Sequence, residues 1–229
     1  MFRRLPYIVL LLHVYVGWRL LPDLRPFSLA FGATAAWLAI SLIATPLWPI
    51  ARRTRRQPLK DRLTIASMVA IGAFSSLFVL TLARDAALLA AAAIGAAMLE
   101  AILRDDGALA IPILAALVTI AGFVNARRRA RIRRVDVPIA GLPAALHGFS
   151  IAQLSDLHIG PTIRRRYIER IVDAVNALGA DMIAVTGDLV DGSVRDLARH
   201  TEPLSRLTAR HGAFFVTGNH EYYSGAAAW

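Results

Sequence analysis

An aspartate and a histidine, Asp156 and His158, stand two residues apart at the end of a short apolar run that begins at Phe149. Side chains at positions i and i+2 of a β-strand point to the same side, so this spacing presents a carboxylate and an imidazole together. Both groups are ligands of divalent metal ions. The pattern is weak by itself, and its meaning depends on the polar residues nearer the carboxyl terminus.

Two further polar clusters each come directly after a predicted strand. Gly-Asp-Leu-Val-Asp-Gly at 187–192 ends the strand predicted for Asp181–Asp188, and Gly-Asn-His-Glu at 218–221 ends the strand predicted for Gly212–Asn219. Glycine before the polar residue allows a sharp turn that presents a ligand at its tip. All three clusters are therefore predicted to lie in loops at strand ends.

Helices are predicted between the strands, over Ile163–Leu178 and over Ser193–Arg210, the second interrupted near Pro203. The resulting β-α-β-α-β order predicts a parallel sheet with right-handed crossovers. Ligands of such sheets collect in the loops after the carboxyl ends of the strands. The three polar clusters are thus expected at one edge of the sheet.

The polar residues of these loops form a mixed set of oxygen and imidazole donors. Asp156, His158, Asp188 and Asn219 suit Mn, Zn, Fe or Mg. A carboxylate such as that of Asp188 can bridge two ions about 3.5–4 Å apart, an arrangement that clamps a phosphate and activates a water for in-line attack. His220 is placed beside a ligand, where it could act on the leaving group or stabilise the transition state.

The motifs D-x-H, G-D-x-x-D and G-N-H-E, in this order at strand ends, resemble those of the calcineurin-like metallophosphoesterase superfamily over residues 149–223. Together with an apolar amino-terminal half, S-D-L-H, T-G-D-L-V-D-G and G-N-H-E-Y-Y are most similar to its membrane-anchored bacterial branch. That branch includes enzymes that cleave UDP-2,3-diacylglucosamine in lipid A synthesis. The resemblance implies an α/β domain in which a β-sheet sandwich is flanked by helices.

The resemblance also implies a role for each motif residue. Asp156 and His158 would bind the first of two divalent metal ions, Asp188 would bridge the two, Asn219 would bind the second, and His220 would be the catalytic histidine. The remaining acidic motif residues, Asp191 and Glu221, are expected to support the ligands rather than to bind metal.

Members of the superfamily continue with a further histidine and a G-H-x-H segment, which complete both metal sites, whereas this sequence stops at Trp229. We therefore expect a carboxy-terminally truncated sequence, a fragment with only the first half of the sandwich. We also expect the 229-residue chain to bind metal poorly and to lack activity.

The amino-terminal half has the composition of a membrane protein. The whole chain is 56% hydrophobic with a mean hydropathy of +0.52, and it contains no cysteine, which excludes disulfides and thiolate metal sites. Four apolar stretches approach the roughly twenty residues that a span needs. They are Tyr7–Leu21, Phe27–Leu47, Leu63–Ala83 and Gly107–Ala126.

Residues 86–103 form a fifth apolar stretch, mostly alanine, that carries Glu100 and is bounded by charged residues. Two arginine-rich runs flank this part of the chain, at residues 52–62 and 127–134. If residues 86–103 do not span, both runs lie on the same side of the membrane, as the positive-inside tendency favours. We therefore predict four spans with both chain ends in the cytoplasm, and residues 84–106 as a periplasmic, interfacial or partly inserted helix. His13, inside the first span, is interpreted as a packed neutral histidine.

The net charge of +10 is concentrated in two runs, residues 52–62 with +5 and residues 127–134 with +6. Because the rest of the chain is close to neutral, a nucleic-acid partner is not expected. The second run is predicted to be a basic juxtamembrane linker, lying against anionic lipid headgroups or solvated. It separates a multi-span region, 1–126, from a partial phosphoesterase domain, 135–229, which opens with a short strand at Val135–Ile139.

The sequence thus favours an integral protein of the bacterial inner membrane with a cytoplasmic metallophosphoesterase domain. It would hydrolyse a phosphodiester or pyrophosphate bond of a phosphorylated, lipid-linked substrate by means of a metal-activated water, as in lipid A or glycolipid metabolism. The alternative hypothesis is a non-enzymatic membrane protein with a degenerate domain, although the three motifs are intact. A transporter or channel would need polar residues within the spans, where His13 and Glu100 are the candidates.

Overall fold

The computed structural model describes residues 5–54, 56–128 and 130–229. The chain divides into two compact units, the first ending at Ala126 and the second covering Arg127–Trp229. Each unit is considered by itself. One arginine of each basic run, Arg55 and Arg129, lies outside the described residues.

The first unit is helical. Its helices are α1 (Leu5–Leu24), α2 (Ser28–Ala44), α3 (Leu47–Arg53), α4 (Gln57–Ala93) and α5 (Ala97–Ala126). Four helical stretches, which overlap the four apolar stretches of the sequence, are long and apolar enough to cross a membrane: Pro6–Leu24, Ser28–Ala51, Gln57–Ala93 and Ala97–Ala126. Large apolar side chains also cover much of the outer surface, as lipid contact requires.

Residues 84–106 do not form the separate helix that the sequence predicted. Helix α4 continues through Arg84 to Ala93, the chain turns at residues 94–96, and α5 starts at Ala97. Alanine has the highest helix propensity of any residue, so this alanine-rich stretch extends α4 instead of ending it. Gly95, with a φ of 68°, supplies the left-handed conformation that the turn needs.

The charged residues that were expected to bound a surface helix are instead packed between helices. The Arg84 side chain is 3% exposed and forms an ion pair with Asp23 of α1. It also donates to the main-chain oxygens of Leu103 (2.7 Å) and Arg104 (3.0 Å) of α5, and to that of Arg19 (3.1 Å) of α1. One guanidinium group therefore connects α1, α4 and α5.

A second ion pair lies beside the first. Arg19 donates two hydrogen bonds of 2.8 Å to the Asp85 carboxylate, which also accepts a 2.5 Å hydrogen bond from the Tyr15 hydroxyl. Such planar, two-point contacts are the strong form of an ion pair. Ion pairs thus hold α1 and α4 together near Arg19 and Asp85, and apolar side chains pack between them along the rest of their contact.

His13 is buried and has partners at both ring nitrogens. Its Nδ1 lies 2.8 Å from the main-chain oxygen of Val9, its Nε2 lies 2.9 Å from the Ser41 hydroxyl, and its ring stacks on Phe74 with 3.7 Å between ring centres. A packed histidine between helices agrees with the interpretation from the sequence.

The second unit contains a three-stranded parallel sheet in the order β1-β2-β3. In chain order its main elements are β1 (Ile151–Leu154), α6 (Arg165–Asn176), β2 (Met182–Thr186), α7 (Val194–Thr201), β3 (Ala213–Val216) and α8 (Asn219–Ser224). A 3₁₀ turn, Glu202–Arg206, comes after α7 at the interruption expected near Pro203. The alternating order predicted from the sequence is therefore present, with shorter elements.

The expected sandwich stays a prediction, because the part of the chain that the structure describes holds one sheet. The strand predicted at Val135–Ile139 is wrong: residues 130–139 have no regular secondary structure, and Val135 and Val137 are 77% and 71% exposed. Since no strand pairs with this segment and Pro138 has no N–H to donate, its β-forming residues have no ladder to join.

Replacing Arg84 with glutamine should destabilise the helical unit by about 3 kcal/mol, because Asp23 then keeps a charge without its partner. Thermal unfolding in detergent measures the effect. Arg25→Gln is the matched control, since Arg25 is exposed at the α1–α2 turn. Equal unfolding temperatures for the two variants would show that the ion pair does not hold the helices.

Candidate metal centre

The loops after β1 and β2 are joined by a backbone ladder that continues past the strands. The main-chain N–H of His158 donates to the main-chain oxygen of Asp188 at 3.0 Å, and the N–H of Ile159 donates to the main-chain oxygen of Leu189 at 2.8 Å. Ile159 and Val190 form a parallel bridge, and both are fully buried. Main-chain hydrogen bonds therefore hold the first two polar clusters side by side.

Three of the predicted ligands have a left-handed backbone. Asp156, His158 and Asp188 have φ values of 56°, 47° and 50°, and they are the non-glycine residues with positive φ in the described ranges. Such conformations cost of order 1–3 kcal/mol each and concentrate at functional sites. Because β1 already ends at Leu154, the turn rather than strand alternation brings Asp156 and His158 together.

The loops after β2 and β3 approach each other at two glycines. A Cβ atom on Gly218 would lie 2.3 Å from Oδ1 of Asp188, and one on Gly187 would lie 2.5 Å from the Gly218 nitrogen. Both distances are far shorter than any van der Waals contact. The glycines of the second and third motifs are therefore required for the close approach of these loops, in addition to the turn at Gly187, whose φ is 89°.

Glu221 is fully buried and accepts hydrogen bonds from four main-chain N–H groups. The donors are Asp188 (2.9 Å), Leu189 (2.7 Å), Val190 (3.1 Å) and Gly218 (2.7 Å). A buried carboxylate is stable only when its oxygens are satisfied in this way. The side chain therefore ties the loop after β3 to the loop after β2.

All five predicted site residues come together where β1, β2 and β3 end. They are Asp156, His158, Asp188, Asn219 and His220. Potential ligand atoms of His158, Asp188 and His220 lie within 4.8 Å of one another. Oδ1 of Asp156 lies 4.0 Å from Nε2 of His158, and the Asn219 amide contacts the Asp188 carboxylate. This is a mixed oxygen and imidazole donor set of the kind that divalent transition metals prefer.

The contact between Asn219 and Asp188 shows whether this pair could bind a metal ion. One terminal atom of the Asn219 amide lies 3.2 Å and 3.1 Å from the two carboxylate oxygens of Asp188. With nitrogen at that position the amide donates to the carboxylate. With oxygen there, the lone pairs of both groups converge, and a cation between them would satisfy both. The pair is therefore suited to share a metal ion.

One carboxylate oxygen of Asp191 contacts both histidines of the site. Its Oδ1 lies 2.9 Å from Nδ1 of His158 and 2.7 Å from Nδ1 of His220, and the two rings meet edge to face with 4.5 Å between centres. A carboxylate at Nδ1 fixes the tautomer and turns Nε2 toward the site. The sequence predicted a supporting role for Asp191 but not the shared contact, which joins residues that are 33 and 29 positions apart in the sequence.

The surroundings of His158 favour its charged form. Partial burial disfavours protonation, but the hydrogen bond to Asp191 and the charges of Asp191, Asp188 and Asp156 outweigh it and raise the pKa of the imidazole above its ordinary value. A site with this excess of negative charge attracts cations, whether protons or metal ions.

Residues 149–229 match the family model of the calcineurin-like phosphoesterases. A zebrafish (Danio rerio) transmembrane protein with metallophosphoesterase domain is 40% identical over 112 residues, which cover 49% of this chain and 26% of that protein. A metallophosphoesterase of Campylobacter jejuni is 28% identical over 225 residues, 96% of this chain and 59% of its own length.

A further relative is the UDP-2,3-diacylglucosamine pyrophosphatase LpxG of Chlamydia muridarum, 32% identical over 93 residues that cover 40% of this chain and 28% of that enzyme. No solved structure matches the chain. The chain spans between about a quarter and three fifths of the length of these curated relatives.

Glu221→Gln should loosen the loops, because a glutamine NH₂ would face main-chain N–H donors that now have an acceptor. We expect a local loss of about 2 kcal/mol, or about 30-fold faster hydrogen exchange, at the amides of Leu189, Val190 and Gly218. Amide exchange measured by mass spectrometry detects it. Glu202→Gln, at a side chain that is 62% exposed, is the control and should leave these amides unchanged.

Proposed function

We propose that the protein that contains this chain, whose residues 149–229 belong to the calcineurin-like phosphoesterase family, is a membrane-anchored phosphoesterase that hydrolyses a phosphodiester or pyrophosphate bond with the help of divalent metal ions. That the 229 residues alone bind metal poorly and lack activity stays a prediction. The observation that carries the proposal is the convergence of the predicted ligands at the carboxyl edge of a parallel sheet, where such sheets bind ligands.

The residues suit two ions, with Mn, Zn, Fe and Mg as candidates. Asp156 and His158 would hold one, Asn219 would hold the other, and Asp188 would contact both. When bound, the ions supply Lewis acidity toward phosphoryl oxygens and make a bound water acidic enough to attack near neutral pH.

The histidines contribute through the nitrogens that Asp191 leaves free. Since the Nδ1 atoms of His158 and His220 both face Asp191, their Nε2 atoms are available to the site. On His158 this nitrogen is a lone-pair donor to a metal. On His220, which we propose is catalytic, a protonated Nε2 can give its proton to the departing oxygen, and Asp191 stabilises the charged ring before the transfer.

The membrane part favours a substrate that is itself held in the bilayer. We propose a phosphorylated, lipid-linked substrate, in line with the name of the Chlamydia relative, and a role in lipid A or glycolipid metabolism. Anchoring raises the local concentration of enzyme and substrate for each other. We further propose a multi-span region 1–126, a basic linker 127–134 at the lipid headgroups, and a domain 135–229 on the cytoplasmic side of the bacterial inner membrane.

Two substitutions separate metal binding from proton transfer. In protein expressed from its complete gene, Asp188→Asn should reduce metal content and abolish Mn-dependent hydrolysis of bis(p-nitrophenyl) phosphate. His220→Asn should keep the metal and lower kcat by about 10²- to 10⁴-fold. Metal analysis and initial rates measure both effects, with Asp173→Asn on an exposed face of α6 as the control.

Full activity in the Asp188→Asn and His220→Asn variants would rule out the assigned site. Absence of turnover by the unaltered protein with each of the candidate metals would favour the alternative of a non-enzymatic membrane protein.

Asp191→Asn should lower activity by about 10- to 100-fold, because an amide orients the two imidazoles less strongly and does not stabilise a charged ring. A positioning role predicts that the loss falls on kcat and that the pH–rate profile shifts, with KM little changed. An unshifted profile with activity close to that of the unaltered protein would show that the shared contact has no part in the reaction.

A further inference from the structure

The helical unit contains a cavity of about 380 Å³ that has no part in the proposed reaction. It lies between α1, α4 and α5, and four charged side chains line it: Arg19, Asp85, Glu100 and Arg104. Two are cations and two are anions, so the charges of the lining balance. A ligand that carries both a positive and a negative group matches such a cavity better than a simple anion or cation.

The four charged side chains differ in how many hydrogen bonds and ion pairs they already make within the protein. Asp85 accepts two hydrogen bonds from Arg19 and one from Tyr15, so its oxygens are largely used. Within the described part of the chain, Glu100 has one ion pair, with Arg104, and that contact is long at 3.7 Å. Glu100 therefore keeps acceptor capacity, and Arg19 and Arg104 keep N–H donors, all facing one cavity.

The rest of the lining is apolar or aromatic. Leu88, Leu89 and Ala92 form the α4 side, and Trp18 lies on the α1 side. Leu89 and Trp18 are 73% and 70% exposed, so an apolar surface leads from the outside of the unit to the charged groups.

The position of the cavity along the helices agrees with the level of the lipid headgroups in a membrane. The uncharged stretch Leu63–Ala83 of α4 leads directly into Arg84 and Asp85, and in α5 residues 104–106 precede the uncharged stretch Gly107–Ala126. Each stretch has about the twenty residues that cross the hydrocarbon core, so the charged residues lie where lipid headgroups begin.

We propose that this cavity binds the headgroup of a phospholipid that carries a primary amine, such as phosphatidylethanolamine. Arg19 and Arg104 contact the phosphate, Glu100 accepts hydrogen bonds from the ammonium group, and the acyl chains extend from the cavity toward the uncharged stretches of α4 and α5. A glycerol headgroup brings no cation of its own to Glu100, and a choline headgroup has no N–H to donate to it. The inference does not depend on the activity of the second unit.

Native mass spectrometry of the detergent-purified full chain tests the proposal, with phosphatidylethanolamine, phosphatidylglycerol and phosphatidylcholine of identical acyl chains as probes. The unaltered protein should bind phosphatidylethanolamine at least about tenfold more tightly than the other two. Glu100→Gln should remove this preference. Asp106→Asn, which removes an exposed charge of the same sign outside the cavity, should keep it.

Equal binding of the three lipids, or an unchanged preference in Glu100→Gln, would overturn the proposal. Competition by water-soluble glycerophosphoethanolamine at the same concentration as the lipid would also overturn it, since the ligand would then be a soluble phosphate ester. Unfolding temperatures of both variants in detergent show whether each is folded, and Glu100→Asp, which keeps the charge, should retain part of the preference.

Discussion

A charge that leaves water must find partners in the protein, and this constraint organises both units. In the helical unit Arg84 is almost fully buried and is matched by Asp23 and three main-chain oxygens, which fixes how α1, α4 and α5 meet. In the second unit Glu221 is fully buried and is matched by four main-chain N–H groups. Each side chain satisfies backbone atoms of segments that are distant in sequence, so the same contacts that stabilise the charge also determine the tertiary arrangement.

The order of strands and helices in the second unit could be predicted from the sequence, because apolar runs punctuated by glycine and polar residues are strong local signals. That order was enough to place Asp156, Asp188 and Asn219 at one sheet edge. The left-handed backbone at Asp156 and the contact of Gly187 with Gly218 could not be predicted, since both depend on atoms brought together by folding. Local patterns specify elements, whereas the close approach of loops is a tertiary property.

Two errors in the predicted helices and strands also have physical causes. Residues 84–106 were expected to form a separate helix because charged residues bound this stretch and the positive-inside tendency favours a stretch that does not span. Arg84 and Asp85 instead have partners on α1, and the helix continues. The segment Val135–Ile139 has the composition of a strand, but no neighbouring strand pairs with it. In both places the structure depends on whether another part of the chain pairs with the segment, and the sequence of the segment alone does not give this.

The position of Glu221 has a consequence for the order of folding. The N–H groups that it accepts from belong mainly to the loop after β2, while Glu221 itself lies in α8, beyond β3. During synthesis the helical unit and the first two strands emerge before this carboxylate does. The loop that carries Asp188 therefore gains these hydrogen bonds only after α8 has been synthesised and has packed against it.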